Sequence, residues 1–167
     1  AEGAAAIVKG HVITQPETDP ANFEPFYELG KLQSRTGTLE GARAAREYFA
    51  RAQKIQPDYL EIPAELAALD YRAGNLAGAE KTLKAILVKE PGNVPASISL
   101  ALVRVRLGRY ELAEKALKPL LAQTSGPDKA RAHLALGIIL ENLGADLGCF
   151  AQYREAVACF PQDQADA

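Results

Sequence analysis

The chain has 167 residues, of which 48% are apolar, 24% charged and 7% aromatic; that balance builds a core and excludes general disorder. A net charge of −2 and a pI near 5.8 leave no basic field for a phosphate backbone, so no nucleic-acid partner is expected. No apolar run approaches the roughly 18 residues that a bilayer span requires; the expectation is a soluble chain without membrane insertion, in the cytoplasm or a bacterial periplasm.

The first stretch, "AEGAAAIVKGHVIT", carries the chain's only strand-like alternation. It has neither an initiator Met nor a basic leader, and Met is absent throughout, which fits a processed chain or one cut from something longer. Residues 1–19 are read as an extension that caps the first repeat, lies in a groove as a pseudo-ligand, adds a strand to another chain, or stays flexible.

From about residue 20 onward helical periodicity takes over. Asp19 with Pro20 can open the first helix. Gly37, Gly74, Gly108 and Gly144 each follow an apolar helical run, where glycine tolerates the left-handed backbone that ends a helix. Pro57, Pro91 and Pro161 close the helix after each of three of those glycines. The unit is helix, glycine turn, helix, proline break. Its clearest statement is the agreement of Arg72 to Leu87 with Arg106 to Leu121, where Gly74/Gly108, Ala79/Ala113, Glu80/Glu114, Leu83/Leu117 and Lys84/Lys118 each lie 34 positions apart. A hairpin of this kind exposes an apolar face that only a neighbouring hairpin can cover, so it must recur.

Asn93 before Pro95 is a capping signal for one helix. Pro119 falls inside another and should bend it. Cys149 and Cys159 stand ten residues apart, about 15 Å along a helix, too far for a disulfide; buried small apolar residues are expected. His11 and His133 have no carboxylate or Cys at metal-ligand spacing, and His133 reads as a core histidine. No phosphate-cradling glycine loop is present. Neither cofactor nor metal is expected, and the chain reads as non-enzymatic.

The recurring unit resembles the tetratricopeptide repeat, whose pattern runs from a large aromatic through Leu-Gly and Tyr to Ala, an aromatic and a closing Pro. Repeat four, about 130–163, carries Leu136, Gly137, Leu140, Gly144, Tyr153, Ala156 and Pro161; His133 replaces the aromatic and Cys149 the usual Ala. Repeat one, about 23–59, carries Phe26, Leu29, Gly30, Gly37, Ala45, Phe49, Ala52 and Pro57, with three extra residues that should lengthen its second helix. Repeats two and three, about 60–93 and 94–127, carry Leu66, Ala67, Gly74, Ala79, Leu83 and Pro91, and Leu100, Ala101, Gly108, Tyr110, Ala113 and Leu117. Departures are Pro63 and Ser97 at the aromatic position, Asp70 and Arg104 at the Tyr position, and Ser125 where a Pro should stand. Gly30, Ala67, Ala101 and Gly137 mark where the two helices of a hairpin cross, which demands a small residue.

The resemblance implies an all-α, right-handed superhelical solenoid of about four hairpins over residues 20–167. It further implies a concave groove, lined by the first helix of each repeat, that holds a partner's peptide or helix. Repeat phase places Tyr27, Lys31, Arg35, Ala64, Ala68, Tyr71, Arg72, Ile98, Leu102, Val105, Arg106, Leu134, Ile138, Glu141 and Asn142 there. Lys31, Arg35 and Arg72 would suit a carboxylate; Ile98, Leu102, Leu134 and Ile138 would form an apolar end. Ile98 and Leu102 replace the charged residues that members gripping chaperone C-termini need, so that activity is not implied. On the last helix Phe150, Tyr153, Val157 and Phe160 lack a covering neighbour. A homo-oligomer through this helix or the N-terminal segment is the alternative, as is an accessory domain of a larger enzyme or a secretion complex.

Overall fold

The computed structural model describes residues 6–8, 11–13 and 22–159, with eight α-helices among them. The chain divides into two compact units, residues 1–73 and 74–167.

In the first unit, β1 (Ala6–Val8) and β2 (His11–Ile13) pair antiparallel, with Ile7 opposite Val12, where the sequence alternates; β1 runs beside the first helix. Three helices follow: α1 (Glu24–Arg35), α2 (Leu39–Ile55) and α3 (Glu61–Arg72). Asp19 and Pro20 lie outside the described residues; α1 opens after Phe23 with Pro25 in its first turn. Thr38 caps α2 by accepting the Gly41 amide at 3.0 Å. At 17 residues, α2 is three longer than either 14-residue second helix of the middle repeats, as the three extra residues imply. The core of the unit is Phe26, Ala45, Phe49, Ala52, Ile62 and Leu69. Phe49 is fully enclosed, and its ring lies over Gly30, where a Cβ would stand 2.5 Å from the ring edge. That close approach explains the small residue at the crossing of α1 and α2.

The second unit holds α4 (Leu76–Lys89), α5 (Val94–Arg106), α6 (Tyr110–Gln123), α7 (Gly126–Asn142) and α8 (Asp146–Ala158). Asn75 and Asn93 cap α4 and α5 through the Gly78 and Ala96 amides, at 3.2 and 2.9 Å. Pro119 sits inside α6, which continues through it to Gln123. The turn from α5 to α6 passes through Gly108 at φ 72°, and Gly144 at φ 73° makes the same turn between α7 and α8; a side chain would be strained at either. Gly37 and Gly74 share this conformation. The 34-residue agreement extends to contacts, since Lys84 pairs with Glu80 at 2.8 Å and Lys118 with Glu114 at 2.9 Å.

The core here is Ile98, Ala101, Val105, Ala113, Leu117, Ala132, Ala135, Leu136 and Ile139. Gly137 receives the Tyr153 ring so closely that a Cβ would overlap it, repeating the Gly30–Phe49 contact. Helix α7 starts at Gly126, a full turn before the 130 expected for repeat four. Ser125, standing where a proline would end repeat three, does not delay it. Cys149 is buried, Cys159 half-buried, and neither forms a disulfide.

Candidate functional site

In the first unit the expected groove residues lie on α1 and α3. Tyr27 is half-buried, its ring edge-on to Tyr59 at 5.4 Å and tilted against Phe49 at 6.0 Å. Burial pushes its phenol up to about 12, helped by the negative field of Glu65. Lys31 stands 5.2 Å above that ring and pairs with Glu28 at 3.2 Å, so its charge is already engaged. Arg35 and Ala68 are exposed. Arg72 turns to the end of α1, donating from Nη1 to the Ser34 carbonyl at 3.1 Å, where a cation meets the negative end of the helix dipole.

That contact makes Arg72 one wall of a cleft of about 340 Å³. The end of α1, the Gly37–Thr38 turn, the first turns of α2 and the end of α3 enclose it. Arg43 and Arg46 of α2 line it with Arg72, beside the apolar Leu39, Ala42 and Leu69. Arg46 donates from Nη2 to Asp70 at 2.7 Å. Asp70 occupies the position of the usual Tyr, so a departure from the repeat pattern is what anchors this guanidinium.

In the second unit the expected residues divide. Ile98 and Val105 are 1% and 8% exposed and belong to the core; buried inside the unit, they have no surface for a partner. The reason is local: α5 packs against α4, α6 and α7, so three of its sides are covered. Leu102 and Ile138 rest half-buried against the same core, while Leu134, one helical turn before Ile138, is 48% exposed. These three make up the partly exposed apolar strip of α5 and α7. Arg106, Glu141 and Asn142 are exposed at its end. Glu141 accepts the Tyr153 hydroxyl at 2.6 Å. Asn142 accepts the Tyr110 hydroxyl at 3.1 Å and donates to the Ile138 carbonyl at 2.8 Å, fixing the rim of the strip.

His133 is 8% exposed and its Nδ1 lies 2.9 Å from Gln152 Oε1, the satisfied core position expected. On α8, Leu147, Phe150 and Val157 are 90%, 69% and 72% exposed. Tyr153 leaves that row for the pocket over Gly137, and burial with the Glu141 hydrogen bond pushes its phenol up to about 12. Phe160 lies outside the described residues. No described helix is long and apolar enough to cross a membrane.

A tetratricopeptide repeat family model matches residues 98–164. No curated protein matches the sequence. Among solved structures, a crystal structure of MamA superposes with a TM-score of 0.64 at 20% identity, covering 85% of this chain and 80% of that one. A MamA RS-1 double mutant gives 0.65 at 19%, covering 84% and 75%; MamA MSR-1 gives 0.59 at 20%, covering 87% and 79%. At such identities the likeness establishes the fold, a helical repeat array.

Proposed function

We propose that this chain, whose residues 98–164 match a tetratricopeptide repeat family model, is a non-enzymatic scaffold that binds a segment of another protein on the α5–α7 face. The observation that carries this reading is the apolar strip of Leu134, Leu102 and Ile138, set beside the exposed Arg106 and a rim of hydrogen-bonded Asn142 and Glu141. An apolar anchor ringed by fixed polar groups suits a partner helix or extended peptide.

Selection of peptides from a displayed random library tests the reading. Peptides enriched on the wild-type protein should lose binding to Leu134→Asp. That exposed position can be changed without opening the core, unlike Leu102 or Ile138. Undiminished binding to Leu134→Asp would remove the strip from the function.

One observation favours a second reading, assembly through the last helix. Leu147, Phe150 and Val157 form one exposed apolar stripe on α8. Sedimentation at micromolar concentration should then show an oligomer that Phe150→Glu dissociates; a wild-type monomer would dismiss it.

A further inference from the structure

The cleft of the first unit joins Arg72 of α3 to Arg43 and Arg46 of α2, a helix to which the repeat pattern assigns no groove residue. From its lining we infer that it is a second recognition site, one that seats a carboxylate of a peptide together with the apolar side chain next to it. Three arginines, Arg43, Arg46 and Arg72, line one cleft, and among the described residues no acidic one lines it. Two of them are held in place by a partner, Arg46 by Asp70 at 2.7 Å and Arg72 by the Ser34 carbonyl at 3.1 Å. Each of these contacts occupies one of the five N–H donors of a guanidinium, leaving the rest of the fork for a ligand.

Arg43 is exposed, lies one turn before Arg46 on the same face of α2, and has no ion-pair partner among the described residues. Counting Asp70, the cleft and its support carry three positive charges against one negative charge. Charge complementarity therefore selects an anion. The apolar lining of Leu39, Ala42 and Leu69 selects an anion with an apolar neighbour over a bare hydrated ion. A volume of about 340 Å³ suits one or two side chains, not a folded domain. A peptide supplies this combination, through an Asp or Glu side chain or through a free C-terminus.

Titrations of the full chain, followed by the Nε–Hε NMR signals of its arginines, test this with four probes: acetyl-Leu-Glu-Leu-amide, its Gln counterpart, acetyl-Leu-Leu with a free carboxylate, and inorganic phosphate. One or both carboxylate peptides should shift Arg43, Arg46 and Arg72 saturably, and the stronger of the two identifies the source of the carboxylate. The Gln peptide should bind about tenfold more weakly or worse, as expected for loss of a charge-assisted hydrogen bond. Arg43→Gln, which breaks no internal contact, should weaken the carboxylate peptide several-fold, whereas Leu134→Asp should leave it unchanged. Equal binding of the Gln peptide, indifference to Arg43→Gln, or phosphate saturating at the lower concentration would each overturn the assignment. Since Leu134→Asp reports on the strip and Arg43→Gln on the cleft, failure of one site is distinguishable from failure of the other.

Discussion

The two glycine–aromatic crossings allow one substitution to be made twice in different surroundings. Gly30→Ala and Gly137→Ala both replace a mid-helix glycine, a change that by propensity alone favours the folded state by about 1 kcal/mol. Each also drives a methyl group into an aromatic ring, and overfilling a packed site costs about 1–3 kcal/mol. The balance depends on whether the ring can retreat. Phe49 is fully enclosed and packs against both Gly30 and Tyr27, so the overfilling outweighs the propensity and Gly30→Ala should destabilise the protein by up to about 2 kcal/mol. At about 2–4 °C per kcal/mol for a chain of this size, its melting temperature should fall by up to about 8 °C. Tyr153 is only half-buried and can swing outward at the cost of its hydrogen bond to Glu141. Gly137→Ala should therefore lie within about 1 kcal/mol of wild type, while its Tyr153 phenol moves back toward the ordinary value near 10. Thermal melts by circular dichroism and alkaline titration at 295 nm read both quantities. A rise in melting temperature for Gly30→Ala would refute the reasoning, because only propensity would then be acting and the helices would not meet at that residue.

Alkali should unfold the protein earlier than exposed tyrosines would allow. Tyr27 and Tyr153 are pushed up to about 12 and Tyr59 is also raised, each chiefly by burial. Their contribution is complete below the unfolded value near 10 and is lost as pH rises toward 12, so urea midpoints should fall across that window; a flat profile there would contradict the burial of these rings. On the acid side, hydrogen bonding to Lys84 and the charge of Arg109 hold the Glu80 carboxyl below its ordinary range against the opposing effect of burial. Stability from this group is present above the unfolded value and fades as pH falls through the lowered folded one. Arg109→Gln should cost at most about 1 kcal/mol near neutrality and nothing in strong acid, measured by urea denaturation at both pH values. With a thiol reagent, Cys159 should react in the native protein, and buried Cys149 only on unfolding, giving two well-separated phases.

The fold was legible because its punctuation is steric. A left-handed glycine turn and a proline after the helix leave marks at fixed spacing, and Gly37, Gly108 and Gly144 turn the chain as that spacing implies. Small residues at the crossings were readable for the same reason, since only glycine admits Phe49 or Tyr153 so closely. The proposed binding face was half legible. Repeat phase names the side of α5 that should face outward, but it cannot report that α4, α6 and α7 cover three sides, and so it assigned the buried Ile98 and Val105 to the surface. The row on α8 was misread at Tyr153, whose partner Gly137 sits on the preceding helix. The arginine cleft was invisible from the first helices alone, because Arg43 and Arg46 belong to a second helix and meet Arg72 only once α3 has returned. Its one sequence trace is Asp70, an acid standing where the repeat carries an aromatic.

Methyl NMR of the protein saturated with a peptide selected on it tests the binding reading most directly. The signals of Leu134, Leu102 and Ile138 should move together while those of Leu147 and Val157 on α8 stay fixed. Movement of the α8 methyls with Leu134 unchanged would place binding on the last helix and contradict the proposed face.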